Sequence, residues 1–338
     1  MKNKKILIIG SNDGFSLEKM YFRGFKSLGC NITFLHAYSI QKNFINKFIW
    51  KYLRFVIFKL IKNKITRHIV SNKKFYDLII IFKGIYLNDN FILNIKKLSP
   101  GTKLINIFPD DPFDTNYFKD ISNNNVIRSI KHFDHVFIFS KKILKKLKNK
   151  FPKNDFSFLP FANDNFLHKK FKITNKPIYD LSFIGTADKD RYNLLKQLSE
   201  FKIILAGNGW ERFNIPQNIK YIKSVNFFQF AKTISKSKIS LNILRNQNKK
   251  SHNMKTFEIP AMGGLMLTEK TSEQQDFFPE NKACLMYENI NDLKKKLKLV
   301  KKNHNKFNKI KKLGFKLSKR HSYKIRAIFV LKKSLINV

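Results

Sequence analysis

Acidic side chains are scarce in this sequence. Asp and Glu number 23 against 67 Lys and Arg, a formal net charge of +44 over 338 residues. A surface so short of carboxylates excludes an acidic, cation-collecting protein and favours anionic partners, either a polyanion or an anionic membrane face. The abundance of Lys, Asn, Ile and Phe is what A/T-rich coding produces, which explains much of the lysine but not the missing acids. Cysteine is equally sparse. Cys30 and Cys284 stand far apart without a companion at metal-ligand spacing, which excludes a disulfide framework and fits a reducing, cytoplasmic setting. No apolar run approaches the roughly 20 residues of a membrane span. The apolar core Ile6 to Ile9 near the N-terminus is too short for a signal peptide and reads as a first strand. The loop after it has only Gly10 and Gly14, so neither G-x-G-x-x-G nor a P-loop is present.

What is there alternates strands and helices over a length suited to two domains. In the first half, strands are expected at Lys5 to Ile9, Asn31 to His36, Tyr76 to Phe82, Leu104 to Phe108 and His132 to Phe139. A helix from Leu17 to Leu28 shows Phe22, Phe25 and Leu28 on one face, and a basic helix runs from Lys141 to Lys150. His132-x-x-His135 lacks a third ligand and reads as structural. Phe44 to Val70 is dense in aromatic and aliphatic residues, yet punctuated by Lys47, Lys51, Arg54, Lys59, Lys62, Lys64 and Arg67. Such a helix suits either core packing with a basic outer face or the interface of an anionic membrane. In the second half, strands are expected at Tyr179 to Ile184, Ile203 to Leu205, Ile219 to Ile222, Lys238 to Leu244, Leu265 to Leu267 and Asn281 to Tyr287. Helices are expected at Tyr192 to Leu198, Phe227 to Ser235, Ile290 to Lys302 and His321 to Leu335.

The most informative stretch is Ser251 to Glu269, SHNMKTFEIPAMGGLMLTE, which reads as loop, short helix, glycine turn and buried strand. Asn253 or Thr256 can cap the helix, and Gly263 and Gly264 permit positive φ at its end. Glu258 is the carboxylate inside this turn. A carboxylate there accepts hydrogen bonds from two sugar hydroxyls, while unpaired N–H groups beside it meet a diphosphate.

These residues resemble the GT-B glycosyltransferases of the family 4 type, and more closely the spore-maturation CgeB-like branch. EIPAMG, Glu258 to Gly263, resembles the second half of the family 4 Glu-x7-Glu motif; Lys250 stands where the first glutamate belongs, so the contact to the donor sugar ring does not carry over. The CgeB-like Asn-x-Arg-x-Phe-Glu pattern followed by Gly-Gly is matched by Asn253, Lys255, Phe257, Glu258, Gly263 and Gly264, with Lys for Arg. The resemblance continues in Pro109-Asp110-Asp111-Pro112, in Leu159 to Asp164, and in the Gly185-Thr186 loop that ends at Arg191.

The resemblance implies an α/β GT-B fold, two Rossmann-like domains facing a central cleft. Residues 1–168 would take the acceptor, 169–320 the nucleotide sugar, and the helix 321–338 would cross back to the first domain. Glu258 would hold the donor ribose. Gly185, Thr186, Arg191 and Lys255 would face the diphosphate, and the Ser224-Val225 loop the base. Ser11, Asn12 and Asp13 would lie on the acceptor side, where Asp110 or Asp111 would orient an acceptor hydroxyl or serve as base; a turn-forming, helix-capping role suits these two equally. No Asp-x-Asp on a short metal-diphosphate loop stands out, so no metal is expected, and no cofactor beyond the nucleotide sugar as substrate. The expected function is glycosyl transfer to a cell-envelope or polymer acceptor, cytoplasmic and peripheral to the membrane. The alternative is a degenerate GT-B scaffold that binds polyanions. The basic residues are spread along the chain and no RNA- or DNA-reading motif is visible, so nucleic acid is not the expected partner.

Overall fold

The computed structural model of the protein describes residues 2–37, 47–72, 76–113, 122–171, 176–223 and 226–335. The chain divides into two compact units, Met1–Pro160 with Tyr323–Val338, and Phe161–Ser322. The second unit thus begins before the expected boundary at 168. The physical reason is that residues 161–168 are tied into it: the Phe161 N–H donates to His252 Nε2 at 3.2 Å, and Asn163 Nδ2 to the Ser318 carbonyl at 2.7 Å.

In the first unit the chain runs β1 (Lys5–Gly10), α1 (Leu17–Lys26), β2 (Asn31–His36), α2 (Lys47–Ser71), β3 (Leu78–Phe82), α3 (Asp89–Leu98), β4 (Lys103–Phe108), α4 (Ser122–Ser129), β5 (His135–Ile138), α5 (Lys141–Lys150) and β6 (Phe156–Phe158). The six strands form one parallel sheet, ordered β2-β1-β3-β4-β5-β6. Its centre is buried on both faces, which is why β3 reads LIIIF without a polar residue. β5 starts at His135 rather than at His132, which lies in a 3-10 turn, Ile130–His132. The buried face of α1 is Met20, Tyr21, Gly24 and Phe25, so the apolar stripe is rotated from the one expected; Phe22 instead meets Phe34 edge-on at 6.0 Å. Of the expected Phe44 to Val70 helix, residues 44–46 lie outside the described residues, and α2 buries Ile57, Ile61, Ile65 and Ile69 at four-residue spacing.

The second unit runs β7 (Tyr179–Ile184), α6 (Lys189–Lys196), β8 (Ile203–Ala206), β9 (Ile219–Ile222), α7 (Phe227–Ser235), β10 (Ser237–Asn242), α8 (Lys255–Ala261), β11 (Met266–Glu269), α9 (Ser272–Phe277), β12 (Leu285–Tyr287), α10 (Ile290–Lys302) and α11 (Asn308–Ser318). Its parallel sheet is ordered β12-β11-β10-β7-β8-β9. The last strand is shorter than expected because Asn281 takes φ +60° in a turn that ends in the Glu280–Cys284 bridge. Helix α12 (Tyr323–Leu335) returns to the first unit. It packs on α1, where Tyr21 and Tyr323 meet edge-on at 5.0 Å and a Cβ on Gly24 would stand 2.6 Å from the Tyr323 carbonyl.

In open parallel sheets ligands bind beyond the carboxyl ends of the strands, where the strand order reverses. That point lies between β7 and β10 in the second unit and between β1 and β3 in the first.

Candidate functional site

Both loops at the β7/β10 reversal carry expected donor residues. The Gly185 carbonyl accepts the Trp210 indole N–H at 2.8 Å, and a Cβ on Gly207, whose φ is +136°, would lie 2.2 Å from that carbonyl. Only glycine fits at 207. Asp188 caps α6 by accepting from the Arg191 N–H at 2.9 Å, so the helix starts at Lys189 and Arg191 sits in its first turn rather than in the loop.

Arg191 is buried. Its Nη1 donates to the Thr186 carbonyl and its Nη2 to the Ile243 carbonyl, each at 2.9 Å, while Nε lies 3.4 Å from the Asp188 carboxylate. The guanidinium therefore ties the loop after β7 to the end of β10, and its fork is not presented to a phosphate as the sequence suggested. The half-exposed Arg245, 3.7 Å from Asp188, was not anticipated. One Asp-x-Asp spacing does occur, Asp188-Lys189-Asp190, but Asp188 is engaged by two arginines and Asp190 accepts from Asn246. Among the described residues no group of three or more His, Cys, Asp or Glu is placed to hold a metal ion.

After β10, Asn253 Oδ1 accepts the Thr256 N–H at 3.1 Å and so caps α8, while its Nδ2 donates to Asn242 Oδ1 at 2.8 Å. Thr256 in turn donates to Gln274 Oε1 at 2.8 Å. This buried amide and hydroxyl network fixes the turn from which α8 springs. Gly263 has φ +76°, as expected for the helix end. Gly264 does not; it is glycine because a Cβ would meet Ile234 at 2.7 Å and Ile259 at 2.9 Å. Lys250, at the place of the missing glutamate, is exposed, with φ +74°. Ser224 and Val225 lie outside the described residues.

Glu258 is 2% exposed. Its Oε2 meets Lys255 Nζ at 2.6 Å, and its Oε1 lies 3.5 Å from His168 Nε2. Burial pushes the carboxyl pKa up, but the neighbouring Lys255 and His168 outweigh it and hold the group below the usual carboxylate range. Lys255 also stands 4.2 Å from the centre of the Phe230 ring. No feature of the sequence marked His168. Beside this group, His252 is wholly buried with Nδ1 at 2.7 Å from Glu273 Oε2, which also accepts from Ser251 Oγ at 2.6 Å. Because His252 Nε2 accepts the Phe161 N–H, the ring's proton sits on Nδ1 and the cluster is a structural anchor for residue 161.

In the first unit the loop after β1 folds on itself. Ser11 Oγ donates to Asp13 at 3.1 Å, the Asn12 N–H to His36 Nδ1 at 2.9 Å, and the Ser11 N–H to Glu18 Oε1 at 3.2 Å. Glu18 is buried, and burial raises its carboxyl above the usual range. Asp110 is buried with Oδ2 3.1 Å from Lys83 Nζ. Lys83 takes φ +60°, rare for a residue with a Cβ, and Asn106 Nδ2 supports it from below by donating to the Ile81 and Lys83 carbonyls. Asp111 accepts the Phe113 N–H at 2.9 Å and shapes the turn. The two adjacent carboxylates thus part ways.

Residues 191–332 match the family described as glycosyl transferase-like. No curated protein matches the chain. Among solved structures, sucrose-phosphate synthase from Thermosynechococcus elongatus is similar over 98% of both chains, with a TM-score of 0.73 and 9% identity. Anabaena Alr3699/HepE in complex with UDP and glucose is similar over 98% of this chain and 99% of that one, at 0.66 and 10%. T4 phage β-glucosyltransferase in complex with its UDP-glucose substrate is similar over 99% and 100%, at 0.59 and 14%. The chain has the GT-B fold, and residues 191–332 resemble the glycosyl transferase-like family.

Proposed function

We propose that the protein transfers a glycosyl group from a nucleotide sugar, held by the second unit, to an acceptor of the cell envelope or another polymer. The observation that carries this reading is Glu258: a buried carboxylate, kept ionised by a cation on its own helix, beside the strand-order reversal of a glycosyl transferase-like domain. Its acceptor oxygens suit the paired hydroxyls of a ribose. Two similar structures hold UDP or UDP-glucose, which makes a uridine nucleotide the first donor to test. With Arg191 engaged internally and the Gly185 and Ala187 N–H groups bonded to the Ala206 and Asn208 carbonyls, the charge of the leaving diphosphate falls to Lys255 and to the Thr186 N–H, without a metal. Asp110, held by Lys83, is the candidate base on the acceptor side. The CgeB-like branch remains the family reading that the motif around Glu258 supports.

We further infer attachment to an anionic membrane through α2. Phe55, Val56, Leu60 and Val70 are exposed beside the exposed Lys59 and Arg67, a mixed apolar and basic face that fits the headgroup boundary. Among the described residues no helix is long and apolar enough to cross a membrane.

The test is thermal unfolding of wild type and Glu258→Gln with UDP, UDP-glucose and other nucleoside diphosphates. A ligand at about a hundredfold its Kd stabilises the folded state by about 2.7 kcal/mol. Stabilisation of wild type by one nucleotide, much reduced in the variant, supports the donor site. No nucleotide effect at millimolar concentration, with stabilisation by polyphosphate, overturns it in favour of a polyanion-binding scaffold.

A further inference from the structure

One buried imidazole at the donor carboxylate has no part in the function proposed above. His168 Nδ1 accepts the Asp164 backbone N–H at 2.8 Å, and its ring meets Phe227 edge-on at 5.0 Å. A ring nitrogen that accepts a hydrogen bond carries no proton, so the proton of neutral His168 resides on Nε2. That nitrogen lies 3.5 Å from Glu258 Oε1. The tautomer is imposed from behind: Asp164 Oδ1 accepts the N–H groups of Phe166 and Leu167 at 2.9 and 3.3 Å, folding residues 164–168 into one tight turn.

The geometry points to His168 as a positioning residue for the donor carboxylate: its Nε2–H fixes Glu258 Oε1 and thereby aims Oε2 at the ribose hydroxyls. The two sides of the carboxylate differ in access. The His168 side chain is 0% exposed, whereas that of Lys255, at Oε2, is 29% exposed. A ligand therefore reaches Oε2 by displacing the lysine ammonium, which then stands free to meet the diphosphate. At 3.5 Å the imidazole contact is an electrostatic pairing longer than a full hydrogen bond, and it shortens when the ligand draws the carboxylate into its final orientation. Holding one oxygen removes the carboxylate's rotational freedom before the ligand arrives, which is where the gain in affinity originates. His168 touches neither substrate nor reacting atoms.

This inference rests on Glu258 as the donor carboxylate, and the experiment separates the two. UDP affinity of the full chain is measured by calorimetry for wild type, His168→Asn and His168→Gln, alone and combined with Glu258→Gln. Asn retains an acceptor for the Asp164 N–H but is too short to donate at the Nε2 position; Gln places its amide there. His168→Asn is expected to weaken UDP about tenfold, the loss of one hydrogen bond to a charged group. His168→Gln should recover most of that affinity, and in the Glu258→Gln background the Asn change should cost less than about twofold. Equal loss with Asn in both backgrounds, or no rescue by Gln, marks a merely structural histidine and overturns the inference. Wild type that binds UDP, with Glu258→Gln weakened and His168→Asn unchanged, overturns it while leaving the donor reading intact. Wild type that binds neither UDP nor any other nucleoside diphosphate overturns both.

Discussion

Lys255→Met removes the ammonium from Glu258 and keeps the length of the side chain. The two partners of this pair are unequally placed, with the carboxylate side chain 3% exposed and the lysine 29%. Removing the lysine strands a charge that water does not reach, and breaking a buried pair from one side costs about 3–5 kcal/mol. The partial exposure of the lysine and the residual contact from His168 place the expected cost at the low end, about 3 kcal/mol, of which the lost approach to the Phe230 ring is about 0.5–1 kcal/mol. Glu258→Gln instead leaves an ammonium that can turn to solvent, and should cost about 1 kcal/mol. In the double variant no buried charge is left to strand, so the second change adds little and the coupling between the two is about 2 kcal/mol. Urea unfolding at neutral pH measures all three. The pH dependence gives a second check. In the wild type Glu258 lies below the usual carboxylate range, so its contribution is present above its unfolded pKa and is lost as pH falls through the lower folded value. With Lys255 gone, burial dominates and the carboxyl is raised, so the deficit of the variant should shrink as acid protonates it. A Lys255→Met variant no less stable than Glu258→Gln at neutral pH, or a deficit that persists in acid, would refute this account of the pair.

Two further outcomes follow from the first unit. Glu18→Gln keeps the acceptor for the Ser11 N–H while removing a carboxylate whose pKa burial has raised. It should be about 1 kcal/mol more stable than wild type at neutral pH, the gain vanishing below the unfolded carboxylate pKa, where Glu18 is protonated in both states; lower urea stability of the variant at neutral pH contradicts the reading. Leu60→Glu on the exposed face of α2, at a position 48% exposed, should change folding stability by less than about 0.5 kcal/mol. It should lower co-sedimentation with phosphatidylserine vesicles at least about fivefold, since it removes an apolar contact and adds a repelled charge, each worth on the order of 1 kcal/mol; unchanged vesicle binding removes α2 from the membrane proposal.

Apart from the three-residue β6, the strands of both sheets were legible because a parallel strand covered on both faces is mostly apolar, and Leu78–Phe82 has nothing else to be. Helices α9 and α11 escaped notice for the converse reason: each presents only a narrow face, and the buried residues of α11 are Gly314 and Ser318, which carry no apolar signal. The same division runs through the site. The cap by Asn253 and the turn at Gly263 on either side of Glu258 were legible because both are local. The role of Arg191 was not, because an arginine at the start of a helix reads alike whether its fork meets a phosphate or two carbonyls, and only the carbonyls of Thr186 and Ile243 decide which. His168 lay further out of reach, since its contact with Glu258 closes over a long stretch of chain and depends on a tautomer fixed by a backbone N–H. Under the proposal above, a carboxylate found by motif has its orientation set by a residue no motif contains. On that proposal, a family pattern persists around Glu258, with Lys255 for its arginine, while donor affinity depends on the turn from Asp164 to His168.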